Sequence, residues 1–277
     1  MPGLTTVLIA AAGAAGLIVG SFLTLVAYRL PARIPLTLER RCPDCEAPIK
    51  RRHQVPVVGW LLLRGKCAEC GARVSARVPI VEIVTALAFA GVVWYFLAAG
   101  DPSRAFPDWM VLAILVVAYW YFAAISIVLT LIDLDTRRLP NAIVLPSYAV
   151  AGALFTIAAL LSSDWPSLLR AAVSMAVLFA FYSILTLVRP AGMGGGDVKL
   201  AGVIGLYLGW IGWGAVAVGA FAAFLFGGIF GIALIIMRRA GRRTAIPFGP
   251  WMILGAWTGI LAGEAVSQAY LALYATA

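Results

Sequence analysis

The chain alternates long apolar runs with short basic connections. Crossing a bilayer takes about 20 apolar residues. Runs of that order stand at about 5–28, 78–98, 109–132, 141–161, 168–187, 213–237 and 249–275, with a shorter one at 198–211. In hydrocarbon every backbone N–H and C=O must be satisfied within the protein, which a helix does by itself. The pattern therefore predicts an all-α polytopic membrane protein of about eight transmembrane helices. The first run has no Lys or Arg before Arg29 and is longer than the roughly 7 to 15 apolar residues of a signal peptide. It is expected to stay in the protein as a membrane helix.

Composition supports the same class. Of 277 residues, 63% are hydrophobic and 12% charged, whereas soluble domains carry about 25% charged residues. Charge placement then predicts orientation. With the N-terminus outside, the segments 29–77, 133–140, 188–197 (with Lys199 just beyond) and 238–248 face the cytoplasm and hold 19 of the 21 Lys and Arg, leaving only Arg104 and Arg170 elsewhere. That is the asymmetry of the positive-inside rule. The formal charge of +9 then reflects orientation and contact with anionic lipid, and no basic soluble domain is large enough to suggest nucleic-acid binding.

Three parts are expected: a first transmembrane helix at 1–28, a cytoplasmic segment at 29–77, and a membrane domain at 78–277. All four cysteines fall in the middle part, as "CPDC" (Cys42, Cys45) and "CAEC" (Cys67, Cys70), with 21 residues between the pairs. Two such knuckles can aim four thiolates at the corners of a tetrahedron, the geometry of a structural Zn²⁺ site. Two disulfides are the competing reading, but the predicted compartment is reducing. So short a segment has little core, and a metal would supply the missing free energy. Four thiolates close the coordination sphere, which makes the metal a scaffold and gives His53, the one histidine, no ligand role. No internal repeat is evident.

Ionisable side chains near membrane depth are costly and default to functional candidates. They are Glu82, Glu264, Asp133 and Asp135 in "TLIDLDTRRLPN", and Asp197 in "GMGGGDVKL". Singly, each aspartate can be read as a helix cap or an interfacial solvated group. Together, carboxylates at two helix breaks on one side of the membrane can converge on a water molecule and share a proton, the arrangement of an aspartic protease. Gly194, Gly195 and Gly196 lack Cβ atoms and can admit a substrate backbone. No "GxSxG", "HExxH" or Walker sequence is present. A transporter in which Asp135, Asp197 and Glu264 form an ion or proton path is the alternative from a different class.

At these residues the chain resembles the type IV prepilin peptidases, the leader peptidase/N-methyltransferase family of GxGD aspartyl proteases (A24). The resemblance rests on six motifs in order: "GSFLTLVAYRLP" at 20–31, the two CxxC pairs, "VPIVEIVTALAF" at 78–89, "IDLDTRRLPN" at 132–141, "GMGGGDVKLAGVIG" at 192–205 and "IPFGP" at 246–250. Carried over, it implies Asp135 and Asp197 as the catalytic pair, Asp133 as a tuning neighbour, Gly194 and Gly196 as support, and an interfacial role for Lys199. It implies prepilins or pseudopilins as substrates, cut after a short basic leader ending in Gly, at the cytoplasmic side of a bacterial inner membrane. It further implies methylation of the new N-terminus from S-adenosylmethionine, with Glu39 and Glu82 as candidates to position the amine. The chain departs from the family's usual "GSFLN" at Thr24.

Overall fold

The computed structural model of the chain describes residues 2–98, 106–188, 193–237 and 247–275. Gly192, Ile246 and the basic stretch 238–245, singled out above, lie outside the described residues. Each of the eight apolar runs is a helix: α1 (Pro2–Arg29), α3 (Arg77–Ala98), α4 (Phe106–Thr136), α5 (Asn141–Ser162), α6 (Trp165–Val188), α7 (Gly195–Ile211), α8 (Trp213–Ile236) and α9 (Gly249–Ala275). The segment between α1 and α3 adds a 3₁₀ turn, Arg51–His53, and a short helix α2, Val58–Leu62. Among the described residues, six helices are long and apolar enough to cross a membrane: α1, α3, α4, α5, α6 and α8. No strand forms among them, only two isolated bridges. The chain divides into two compact units, Met1–Asp101 with Ala123–Val128, and Pro102–Phe122 with Leu129–Ala277.

In the first unit α1 lies against α3 at glycines. A Cβ on Gly16 would fall 2.6 Å from the Ala86 Cα, and one on Gly20 would fall 2.7 Å from the Glu82 Cα. Small residues let helix backbones approach closely where no hydrophobic effect drives association. Arg29, the last residue of α1, is buried, and its guanidinium donates to the carbonyl oxygens of Pro35, Leu36, Leu38 and Glu39 at 2.7 to 3.2 Å. A buried cation is costly unless hydrogen-bonded, and this one is satisfied by turning the following chain back over the helix end. Arg40 in turn donates to the hydroxyl and the carbonyl oxygen of Ser21.

In the second unit α7 is the centre, packed by α5, α6, α8 and α9. Its residues from Asp197 to Trp210 are buried apart from Lys199. A helix apolar all round belongs in a core, which accounts for its 17 residues against the longer helices around it. Gly205 and Gly209 of α7 meet the Ser174 and Ala171 turns of α6, while Gly202 makes room for Tyr148, whose hydroxyl donates to the Lys199 carbonyl at 2.6 Å. Tyr207 anchors an aromatic core, stacked on Phe122 at 4.3 Å between centroids and edge-on to Tyr119 and Phe155. On the α8 backbone, Gly255 of α9 meets Ala223 and Gly219, Gly259 meets Ala215 and Gly219, and Gly263 meets Ala215 and Gly214.

The helix ends opposite Asp197 are closed by charge. Arg170 donates to the carbonyl oxygens of Gly209 and Trp210, the orphan acceptors at the C-terminus of α7. Glu264 of α9 accepts from the Ala215 N–H in the first turn of α8. Gly212, between the two helices, leaves the space that the Glu264 carboxylate occupies.

Candidate functional site

The helix α4 continues through Thr136, past the end of its apolar run, and this sets the phase of its two aspartates. Two residues along an α-helix turn a side chain by about 200°, so Asp133 and Asp135 face opposite ways. Asp133 is 4% exposed, whereas Asp135 is exposed. Arg137, with a φ of 53°, donates its N–H to the Asp133 carbonyl and ends the helix. Leu139 and Pro140 then lead into α5, where Pro140 takes the position before the first turn.

Asp197 enters from the other side, in the first turn of α7. Its Oδ2 accepts the Gly194 N–H at 3.0 Å and its own N–H donates to the Gly194 carbonyl, a reciprocal cap. Asp133 lies within electrostatic reach of it. Oδ2 of Asp133 accepts the N–H of Gly249, the first residue of α9, at 3.1 Å. Leu139 packs where neither adjacent glycine has a side chain: a Cβ on Gly196 would fall 2.9 Å from the Leu139 Cβ, and one on Gly249 would fall 3.5 Å from its Cδ2. Gly194 and Gly196 therefore hold and make room, while Gly195 has open space where a side chain would stand.

Lys199 reaches sideways. Its Nζ donates to Asn141 Oδ1 at 3.0 Å, tying the start of α7 to the start of α5. On the α6 side, the buried Tyr182 lies within electrostatic reach of Asp197 and stacks on Phe224, which meets Phe248. Sequence reasoning gave no role to Gly249, Leu139 or Tyr182. "IPFGP" carried the available signal for the first, a glycine between prolines just ahead of an apolar run. Tyr182 sits in an unbroken apolar run and offers none.

The second candidate site is the cysteine segment. Its four thiols lie within 4.8 Å of one another, the donor set of a tetrahedral Zn²⁺ site. Contrary to the expectation of no internal repeat, the segment repeats itself at an offset of 25 residues. Cys42 N–H bonds to the Ala47 carbonyl as Cys67 N–H does to Ala72; Glu46 N–H bonds to Cys42 as Gly71 N–H does to Cys67; Ile49 N–H bonds to Arg40 as Val74 N–H does to Gly65. The bridges Arg41–Pro48 and Lys66–Arg73 coincide, as do the positive φ angles at Glu46 and Gly71. Backbone bonds from Cys70 and then Glu69 draw the Cys67 thiol down to about 7. Against the lowering bond from Ala47, the neighbouring Cys70, Cys42 and Cys67 thiols push Cys45 up to about 12. Crowded thiolates resist joint ionisation, and a bound dication removes that resistance. Lys50 and Glu69 join the two halves at 2.9 Å, and the lysine holds the Glu69 carboxyl below its usual range. His53 is not part of the cluster; its carbonyl lies against Gly59.

Of the two glutamates expected near a methyl donor, Glu39 is exposed beside Arg41. Glu82 is buried, and its Oε2 accepts the N–H of Val57 at 2.6 Å. Val57 has a φ of 59°, an uncommon conformation for a β-branched residue, and Arg40 lies in electrostatic reach of Glu82. Glu82 thus anchors the segment between the knuckles to α3.

Comparison with known proteins places both sites in one family. The model of the bacterial peptidase A24 N-terminal domain matches residues 14–96, and that of the type IV leader peptidase family matches residues 120–232. The chain is similar to the prepilin leader peptidase/N-methyltransferase of Aeromonas salmonicida, 32% identical with 92% of this chain and 91% of that protein covered. The proteins of the same name from Neisseria gonorrhoeae and Bacillus subtilis are 33% and 30% identical, again over 92% of this chain and over 90% and 95% of theirs. No solved structure matches. Carrying both domains in order and sharing near-full-length identity with its members, the chain belongs to the type IV leader peptidase family.

Proposed function

We propose that this protein is a membrane-embedded aspartic endopeptidase that removes the leader from type IV prepilins or pseudopilins, with Asp133 and Asp197 as its catalytic pair. The observation that carries the assignment is the burial of Asp133 within electrostatic reach of Asp197, each carboxylate anchored on a glycine N–H. The proposal moves the first aspartate from Asp135 to Asp133. Asp135 is exposed on the opposite face of α4, as helical phase requires.

Two carboxylates within electrostatic reach of one another favour a shared proton. The ionised one takes a proton from water as the oxygen attacks the scissile carbonyl carbon; the protonated one hydrogen-bonds the carbonyl oxygen. Collapse of the tetrahedral intermediate breaks the C–N bond, with the proton passing to the leaving amine. Gly195, with open space where a side chain would stand, suits an extended peptide. Lys199, engaged with Asn141, fixes the site from the side.

Further readings rest on the same family. The site faces the cytoplasm of a bacterial inner membrane, supported by Arg137, Arg138 and Lys199 around the aspartates and by the distribution of basic residues. Cys42, Cys45, Cys67 and Cys70 hold a structural Zn²⁺, supported by their clustering. The domain order is a first membrane helix (1–28), a zinc segment (29–77) and the protease domain (78–277). The relatives' name supports N-methyltransferase activity here, with S-adenosylmethionine supplying the methyl group. Transport through Glu264 loses its support, since that carboxylate caps α8.

The test is incubation of the purified protein with a full-length prepilin and labelled S-adenosylmethionine, followed by mass analysis of the product's N-terminus. Cleavage and label incorporation are expected. Asp133→Asn and Asp197→Asn abolish cleavage at normal protein level, and Asp135→Asn retains it. An inactive Asp135→Asn beside an active Asp133→Asn would return the role to Asp135.

A further inference from the structure

Resting on the aspartic-protease reading above, we propose that Gly249 is a positioning residue for the reaction: its N–H holds Asp133 by Oδ2, and its missing side chain leaves room for that grip. Three observations meet at this residue. The hydrogen bond is buried and 3.1 Å long, and it joins residues 116 positions apart. A Cβ on Gly249 would fall 2.8 Å from the same Oδ2 and 3.5 Å from Leu139 Cδ2. The φ of Gly249 is not in the left-handed region, so the glycine serves neither a turn nor a strained backbone. What it provides is proximity, since any side chain displaces the carboxylate it holds.

The chemistry explains why such a grip is needed. A carboxylate at the end of a long helix, just before a turn, has rotational freedom about χ1 and χ2. Fixing Oδ2 on a main-chain donor leaves Oδ1 to meet the water and Asp197. Leu139 completes the arrangement by filling the space beside Gly196 as well as Gly249, so one side chain spaces the element that carries Asp197 from the one that holds Asp133. The start of α9 is thereby a third member of the catalytic apparatus, beside the ends of α4 and α7. It acts through Asp133 and touches no substrate itself.

The experiment is single-turnover cleavage of a full-length prepilin with enzyme in increasing excess, on wild type, Gly249→Ala and Asp133→Asn. A misfolded fraction changes the enzyme concentration needed for half-saturation and leaves the saturating rate constant alone, whereas a displaced carboxylate does the reverse. Gly249→Ala is expected to lower the saturating rate constant by about 100-fold, the cost of an ångström-scale misplacement, with half-saturation within about threefold of wild type. A wild-type rate constant for Gly249→Ala beside an inactive Asp133→Asn overturns the role of Gly249 and leaves the dyad standing. An active Asp133→Asn overturns the dyad and this inference with it. If Gly249→Ala does not accumulate, the Gly249 amide proton is followed by NMR in ¹⁵N-labelled protein. Its resonance moves upfield in Asp133→Asn if the bond exists, and an unmoved resonance overturns the proposal.

Discussion

Arg170 of α6 donates its Nε–H to the carbonyl oxygen of Gly209 at 2.6 Å, and a terminal nitrogen of the same guanidinium reaches Trp210 at 2.9 Å. One side chain thus closes the C-terminal end of the buried helix that carries Asp197 at its other end. Hydrogen bonds from charged groups contribute about 1.5 to 3 kcal/mol. Arg170→Ala is expected to destabilise the protein by about 2 kcal/mol, read as a lowered melting temperature in detergent. The saturating cleavage rate of the folded enzyme stays as in wild type. An unchanged melting temperature would count against the cap.

Glu264 makes the complementary contact with the Ala215 N–H at 3.3 Å. Glu264→Gln keeps an acceptor and removes the charge, so the expected loss is about 0.3 to 1 kcal/mol, the scale of a charge at a helix terminus. Cleavage is expected to be unaffected. A catalytic defect with normal stability would assign Glu264 a task beyond the start of α8.

The cysteine cluster predicts one zinc per chain by elemental analysis, and its loss in Cys67→Ser. Binding requires thiolates and releases protons. The Cys67 thiol, drawn down to about 7, is ionised above that pH and protonated below it, while Cys45, pushed up to about 12, loses its proton to solvent only as its sulfur binds the metal. Apparent zinc affinity therefore falls as pH falls, measurable by competition with a chromogenic chelator. Affinity independent of pH between 6 and 8 would exclude thiolate ligation.

Packing between α8 and α9 is a third place where a small change has a large effect. A Cβ on Gly255 would lie 2.5 Å from the Ala223 nitrogen, and one on Gly259 would lie 2.5 Å from the Ala215 oxygen. Neither neighbour is a flexible side chain that can swing away. Each Gly→Ala change is expected to cost about 1 to 3 kcal/mol, the range for overpacking. Gly152, whose added Cβ meets nothing within 4 Å, is the control; Gly152→Ala is expected to be neutral or slightly stabilising.

The helices were legible in the sequence because apolar run length is a local property, and each run is a helix. The phase of the first aspartate was less legible. With the apolar run ending at 132, Asp133 and Asp135 both read as residues closing that helix, and the family pattern favours the second. Once α4 is seen to continue through Thr136, helical geometry alone separates them. The knuckle repeat is hidden in the sequence for a different reason. Between residues 40–49 and 65–74 only the two cysteines and one alanine recur, because the likeness lies in backbone bonds that many side chains can accompany. Gly249 was quoted within a motif, yet only a contact across 116 residues of chain gives it a task.

Asp133 and Asp197 are each held by a main-chain N–H, from Gly249 and Gly194. A donor of that kind survives every substitution except proline. Variation around the site can therefore reshape what the enzyme accepts while the two acids keep their places, provided that Gly249 stays free of a side chain. For anyone seeking to redirect the enzyme to another leader, the walls are open to change and Gly249 is the fixed point.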